Sequence, residues 1–279
     1  FILVRTEGQR LGESVRRLTD FGHTPAWFPD GRRIVVSTVS WKDPFNLQVG
    51  GQLWIVDPGT GARRKLPFAG LAACQPAVSP DGQRIAFWGI PPGGGQRDVY
   101  TIGTGETEAE AAIPVTNDAP LDWSPLWSAD GRFLYFASDR NGTMNLWRVG
   151  IDEASGKARG DPDPVTLPAS WAGFLRGTPD GSRVAFQAVD WDSRLERLPF
   201  DPVEERVSGA PVPVARFVGL IDDPQLALQG GLMTLSSLGG KEDIFVLKTD
   251  GTGLRRLTDD GFRNRGPAFS PDGRKILFY

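Results

Sequence analysis

The sequence predicts an all-β fold of six repeated units closed into a ring. Three observations carry that expectation. A turn tetrapeptide recurs at nearly even intervals, the apolar runs are short and rich in β-branched and aromatic residues, and each chain end supplies half of one unit.

The tetrapeptide comes first. It reads "FPDG" at Phe28–Gly31, "SPDG" at Ser79–Gly82, "SADG" at Ser128–Gly131, "TPDG" at Thr178–Gly181 and "SPDG" at Ser270–Gly273. Its aspartates are Asp30, Asp81, Asp130, Asp180 and Asp272, with gaps of 51, 49, 50 and 92. The last gap is about two periods and predicts a degenerate copy at its middle. A proline stands five residues before the aspartate at Pro25, Pro76, Pro125 and Pro267, with Leu175 in the remaining copy. Pro224 stands likewise before Gln229-Gly230, which marks the degenerate copy. Ser at the first position bonds back to the backbone, Pro fixes φ, and Gly accepts the left-handed conformation that ends a tight hairpin. The tetrapeptides therefore read as hairpin turns and not as catalytic motifs.

Each copy then reads as four strands. In the second copy these are Pro76–Ser79, Arg84–Trp88, Asp98–Ile102 and Ile113–Thr116. The last copy stops after two, at Pro267–Ser270 and Arg274–Tyr279. The chain begins with the other two, at Phe1–Thr6 and Ser14–Asp20, whose ending matches Ile244–Asp260 almost letter for letter. The expectation is one six-bladed β-propeller over residues 1–279, its closing blade built from 1–20 plus 262–279, with exposed sheet edges kept short.

Composition agrees and excludes several classes. The 279 residues include 35 Gly and 23 Pro, which signals many turns. Lys+Arg is 31 and Asp+Glu is 34, a net charge of -3 with no general pull toward nucleic acid or anionic lipid. No basic stripe interleaved with aromatics appears, so no nucleic-acid partner is expected. No apolar run approaches the ~20 residues that cross a bilayer, so no membrane insertion by this segment is expected. Cys74 is the one cysteine and His23 the one histidine, so an intrachain disulfide and a multi-histidine metal site are both impossible. The first residue is Phe1 and not Met, which reads as a piece of a longer protein.

The stretch Arg255–Phe278, "RRLTDDGFRNRGPAFSPDGRKILF", resembles the repeat of TolB-type propellers, the PD-repeat relatives of WD repeats. Asn145–Thr166 is similar to blade strands in large bacterial proteins that append such propellers to kinase or winged-helix domains. The resemblance covers all six blades, weakly in the one holding Gln229. It implies the fold strongly and the function poorly. Members include periplasmic translocation components, sensor modules and gating domains of serine peptidases.

Strand order puts the blade-to-blade connections around the central channel, and ligands of repeat folds favour such a convergent face. The expected channel-mouth set is His23, Gln75, Asp122, Trp123, Trp171, Phe174, Asp222, Asp223, Arg263 and Arg265, with Thr24 and Ser124 beside them. The second-to-third strand loops add Trp41, Trp88, Asp139, Arg140, Asp190 and Trp191. Exposed Trp and Arg suit a protein or peptide hot spot. On this reading Trp123 and Arg265 serve binding and not stability. The competing reading makes Trp41, Trp88 and Trp191 packing caps between blades. Trp27, Trp54, Trp127 and Trp147 are read as core. His23 reads as a hydrogen-bonding loop residue, and Cys74 as a small buried hydrophobe. Asp122, Asp222 and Asp223 offer oxygens to a channel cation such as Ca2+, but such a site needs six or more ligands. No cofactor is expected.

No G-x-S-x-G elbow, P-loop, G-x-G-x-x-G in a βαβ context or H-E-x-x-H occurs. Pro91–Gln96 is glycine-rich but joins two strands, and Gly103–Ala112 and Asp152–Pro164 read as solvated loops. The functional expectation is a non-catalytic, monomeric binding module, periplasmic or extracytoplasmic, serving as the sensor or interaction part of a larger bacterial protein. The alternative is an accessory gating propeller of a serine peptidase or other hydrolase. A lyase or hydrolase with its own site in the channel ranks last, given a lone histidine.

Overall fold

A computed structural model describes residues 2–4, 15–39, 51–68, 70–91, 96–105, 111–166, 172–189, 192–218, 220–228, 230–238, 242–260, 262 and 264–279. Every regular element among them is a strand. The chain divides into two compact units. The first carries β1 (Ile2–Val4) and β2 (Val15–Arg17), followed by β3 (His23–Trp27), β4 (Ile34–Ser37), β5 (Leu53–Val56) and β6 (Arg63–Lys65) of repeat one. Repeat two supplies β7 (Ala72–Val78), β8 (Arg84–Ile90), β9 (Asp98–Gly103) and β10 (Ile113–Pro114). Repeat three supplies β11 (Asp122–Trp127), β12 (Phe133–Ser138), β13 (Asn145–Ile151) and β14 (Ala158–Pro164), and the unit ends with β15 (Ala172–Gly177) and β16 (Val184–Ala188).

The second unit holds β17 (Asp192–Arg197), β18 (Phe200–Asp201), β19 (Arg206–Val207) and β20 (Val212–Val218). It continues with β21 (Leu220–Leu226), β22 (Leu232–Leu238), β23 (Ile244–Lys248) and β24 (Arg255–Arg256), then β25 (Ala268–Phe269) and β26 (Ile276–Leu277). Repeats one, two, three and five each form the expected four-stranded antiparallel sheet, paired in chain order. The fourth repeat is written as two-stranded sheets, β15–β16 in the first unit and β17–β20 with β18–β19 in the second. The halves expected to close the ring are each present as a two-stranded ladder, β1–β2 and β25–β26.

The turn chemistry reads as the sequence implies. In repeat two the Ser79 hydroxyl donates to Asp81 at 2.6 Å and accepts the Arg84 amide at 2.9 Å. Asp81 also accepts the Gln83 amide at 2.8 Å, and the Gly82 amide donates to the Ser79 carbonyl at 2.9 Å with φ +73°. The degenerate copy keeps the backbone. The Gly230 amide donates to the Ala227 carbonyl at 2.8 Å with φ +67°, while Gln229 itself lies outside the described residues. The Ser128 hydroxyl and Arg132 hold Asp130 down at about 2, and the Thr178 hydroxyl and Ser182 amide do the same for Asp180. These carboxylates stabilise the fold above the ordinary aspartate range, and that contribution is lost as the pH falls toward about 2.

Alternation along each strand sends side chains to both faces of its sheet. Val35 packs with Leu53, Ile85 and Phe87, toward repeat two. Its neighbours Ile34 and Val36 pack on the opposite side, with Phe21 and Leu18. Ala86 leaves the Ile85–Phe87 cluster to join Leu134, Phe136 and Trp147 of repeat three. In the second unit Met233, Leu235 and Leu247 gather Leu195, Val214 and Phe217. Core therefore sits between sheets, at roughly 1.5–3 kcal/mol for each large side chain buried. Trp54 is half-buried, and Trp127 and Trp147 are buried as expected. Trp27, expected in the core, is 52% exposed. The turn glycines carry a direct test. A Cβ on Gly31 meets nothing within 4 Å, so only its φ of +65° opposes a side chain. Gly31→Ala is expected to lower the unfolding free energy by about 1–2 kcal/mol, read from urea midpoints at unchanged m-value.

Candidate functional site

The first strands β3, β7, β11, β15 and β21 each carry a left-handed residue directly before the recurring proline or leucine, and in the last repeat it stands two residues before β25. These residues are Thr24, Gln75, Ser124, Phe174 and Asp223, at φ +48° to +56°, with Gly266 at +57° as the sixth. Non-glycine residues seldom adopt this conformation, least of all before proline. A bulge accompanies it. In β7 the ladder runs from Ala72↔Ile90 to Cys74↔Trp88, then resumes at Ala77↔Ala86. β3, β11 and β21 break in the same place. The sequence alone places the start of this strand at Pro76. The bulge lets pairing continue upstream through the proline, so β7 begins at Ala72 and Trp88 lies inside β8 and not in a loop.

Adjacent repeats are joined by one recurring backbone bond at this level. The Ala73 amide donates to the Gly51 carbonyl at 2.9 Å, Asp122 to Arg97 at 2.9 Å, and Asn264 to Glu242 at 2.8 Å. Side chains add to it. The Ser37 hydroxyl donates to the Ala73 carbonyl at 3.1 Å, and the Leu175 amide donates to the Ser124 hydroxyl at 2.9 Å.

The expected mouth residues divide by burial. His23, Asp222 and Asp223 are exposed, and Phe174 is half-buried. Gln75 is buried and accepts the Trp88 indole N–H at 2.8 Å. Trp123, expected as an exposed anchor, is 0% exposed, with its ring edge-on to Phe174 at 5.2 Å. It stands inside the ladder opposite Ala137, so its bulk packs inward. Arg265 forms a two-pronged ion pair with buried Glu242, Nη2 to Oε1 at 2.6 Å. Trp171, Arg263, Trp41, Asp190 and Trp191 lie outside the described residues.

Asp122 is fully buried, and Arg140 reaches both of its oxygens, at 3.0 and 2.9 Å. The same guanidinium donates to Asp118 at 3.2 Å and lies over the rings of Phe136 and Trp147. Asp98 completes a group of three carboxylates whose oxygens lie within 4.8 Å of one another. Burial pushes Asp98 up to about 6 and Asp122 up to about 7, the latter against the pull of Arg140. The carboxylates around Asp122 are thus Asp98 and Asp118. A divalent ion there competes with Arg140, and three carboxylates fall short of a six-oxygen Ca2+ shell. Sequence reasoning missed Asp98 and Glu242. Their signal was the polar pair that heads a third strand, Arg97-Asp98 and Glu242-Asp243, answered by Thr116 and Thr258.

Four-stranded sheets, each opened by a bulged first strand and an SPDG-type turn, define a repeat protein of the β-propeller class. The TolB beta propeller domain profile (PD40) matches residues 7–193, and the chain belongs to that family. A protein TolB homolog of Chlorobium luteolum is 30% identical over 151 residues, 54% of this chain and 32% of that protein. The uncharacterized peptidase YuxL of Bacillus subtilis is 24% identical over 219 residues, 75% of this chain and 29% of that protein. The crystal structure of TolB from Acinetobacter baumannii gives a TM-score of 0.51 at 21% identity, covering 91% of this chain and 59% of that one, a likeness of fold. The chain spans between 29% and 50% of the length of the curated relatives it matches.

The burial pattern separates scaffold from surface. Trp123→Ala is expected to cost about 3–5 kcal/mol as a core truncation, whereas His23→Ala stays within about 0.5 kcal/mol. Chemical denaturation of the two variants checks both values, and equal midpoints would return Trp123 to the surface set.

Proposed function

We propose that the chain is a non-catalytic, monomeric protein- or peptide-binding β-propeller, the interaction or sensor module of a larger bacterial protein outside the cytoplasm. The observation that carries this reading is the left-handed residue repeated in five first strands and just before the sixth. Costly backbone conformations persist where the surrounding structure over-determines them, and they gather at binding sites. Here they accompany a break in the ladder at one level in β3, β7, β11 and β21. The inter-repeat bonds hold that level rigid, so little ordering entropy is lost when a partner docks. Trp123 and Arg265 serve the scaffold on this reading, and His23, Asp222 and Asp223 face the partner.

Six blades and a closed ring belong to the same proposal. In repeat three the Trp127 indole N–H donates to the Ala77 carbonyl of repeat two at 3.2 Å. Trp27 holds the same place in repeat one, and Ala268 holds the place of Ala77 in the last repeat. Closure offers Trp27 its missing cover. By the pairing of β4 with β5, β26 is then the partner of β1.

The gating alternative draws on one observation, the similarity to a Bacillus subtilis peptidase over 75% of this chain. In that role the propeller stands before another domain's active site and still does no chemistry of its own.

Three measurements test the reading. A random-peptide array probed with the chain is expected to yield binders that His23→Ala/Asp222→Asn/Asp223→Asn weakens at least about tenfold, roughly 1.4 kcal/mol, with Tm unchanged. Equal binding by the triple variant removes these residues from the site, and turnover of esterase, glycosidase or lyase substrates removes the non-catalytic reading. For the ring, amide exchange at residues 2–4 and 276–278 is expected to be protected within about a factor of ten of Leu53–Val56. Unprotected exchange there means that the halves do not join.

A further inference from the structure

We propose that the seam between repeats two and three is a proton-operated latch. Asp118 and Asp122 share the Arg140 guanidinium with Asp98 clustered beside them, and a proton held among these carboxylates sets how firmly the connector of residues 117–121 is fastened. The inference adds regulation to the proposed binding face, and only that consequence rests on the binding reading.

The molecule contains its own control. At the seam after repeat five, Asp243 heads β23 and accepts the Thr258 hydroxyl at 3.0 Å, with Arg256 on its other oxygen at 2.5 Å. The adjacent Glu242 is matched by Arg265. Arg256 also meets Asp259, at 3.0 Å, but that carboxylate is 76% exposed, so the two buried carboxylates there face two guanidiniums. At the seam after repeat two, Asp98 occupies the place of Asp243 and accepts the Thr116 hydroxyl at 3.2 Å. Pro114 now stands where Arg256 stood. Arg140 is shared by Asp122 and Asp118.

Other polar and charged groups stand nearby. Asp139 accepts the Leu121 amide at 2.8 Å. Arg97, next to Asp98 in sequence, has its guanidinium 4.9 Å over the Trp88 ring. Tyr100, farther along β9, is pushed up by burial and by Asp98. With all three carboxylates ionised, Asp98 is a surplus buried charge beside Asp122 and exposed Asp118, and burial together with like charges at this range favours retaining a proton. Asp98 and Asp122 are both raised, first by burial and then by the Asp118 charge, while Arg140 pulls both down.

The sign follows from linkage. Between the ordinary aspartate value and about 6–7 the folded chain holds protons that the unfolded chain has released. Stability therefore falls as pH rises through that window and levels off above it. The strain falls on the connector. Asp118 is the most exposed member, its amide donates to Asp98 at 3.4 Å, and its carboxylate meets Arg140. Asp122, by contrast, is buried within β11 and tied through its amide to Arg97.

Asp98→Asn is a native-like test, because Asn145 fills the equivalent place in repeat three. Carboxyl-carbon NMR of the full chain is expected to show Asp98 or Asp122 titrating above about pH 5.5, with the Asp122 midpoint at least about one pH unit lower in Asp98→Asn. Exchange protection of the Leu121 amide is expected to fall about tenfold between pH 5.5 and 8 in the unaltered chain, and to stay flat in the variant. Both carboxyls titrating below about pH 4.5, or equal pH dependence of Leu121 protection in the two proteins, overturns the latch. Neither readout needs a partner, so failure of the binding reading leaves this test intact.

Discussion

A four-stranded sheet of this chain has two apolar faces, and among the described residues no helix covers either. That constraint organises the molecule. Ile34 and Val36 look one way and Val35 the other, and both sets are buried. Such a sheet is stable only between two others, so each repeat borrows its core from its neighbours. The same constraint explains why the repeats are joined so heavily. Beyond the side-chain clusters, the amide two places before the left-handed residue bonds back to the preceding repeat, at Ala73, Asp122 and Asn264. These bonds fix register as well as adding stability, because they act at the one level where the ladder is broken.

Buried charge answers to the same geometry. The heads of the third strands lie where sheets meet, so acids placed there are desolvated whatever their function. Glu242 and Asp243 are balanced by Arg265 and Arg256, and Asp122 by Arg140. Removing one partner of such a pair leaves a buried charge without compensation, which costs more than the pair itself contributes. Arg265 accordingly belongs with the scaffold, although its position at the head of a first strand makes it resemble a binding residue.

Much of the fold was legible because turn chemistry is local. Gly82, Gly131 and Gly181 can be read as left-handed from four letters, and the spacing of those letters gives the repeat. Burial was less legible because it is not local. Trp88 and Trp123 sit at the margins of their strands, and the sequence does not reveal that a bulge extends the ladder past them. The surplus carboxylate at Asp98 was equally hidden. It emerges only by comparison with Asp243, once the strands show that Pro114 and Arg256 hold corresponding places.

Repeat five separates what the turn requires from what merely reinforces it. Ala227–Gly230 has neither the hydroxyl nor the proline of the other copies, yet it forms the same amide-to-carbonyl bond at 2.8 Å. What survives is the glycine, at φ +67° against +65° to +73° elsewhere. A left-handed fourth residue is thus the condition for the hairpin, because a Cβ there opposes the required backbone. The Ser–Asp pair is an added clamp that two amides and a hydroxyl tighten, as at Ser79 and Asp81. A repeat can therefore shed its recognisable letters and keep its shape. The left-handed residue before the proline, at Asp223 as at Gln75, is then the more durable mark of a unit than the tetrapeptide that first revealed it.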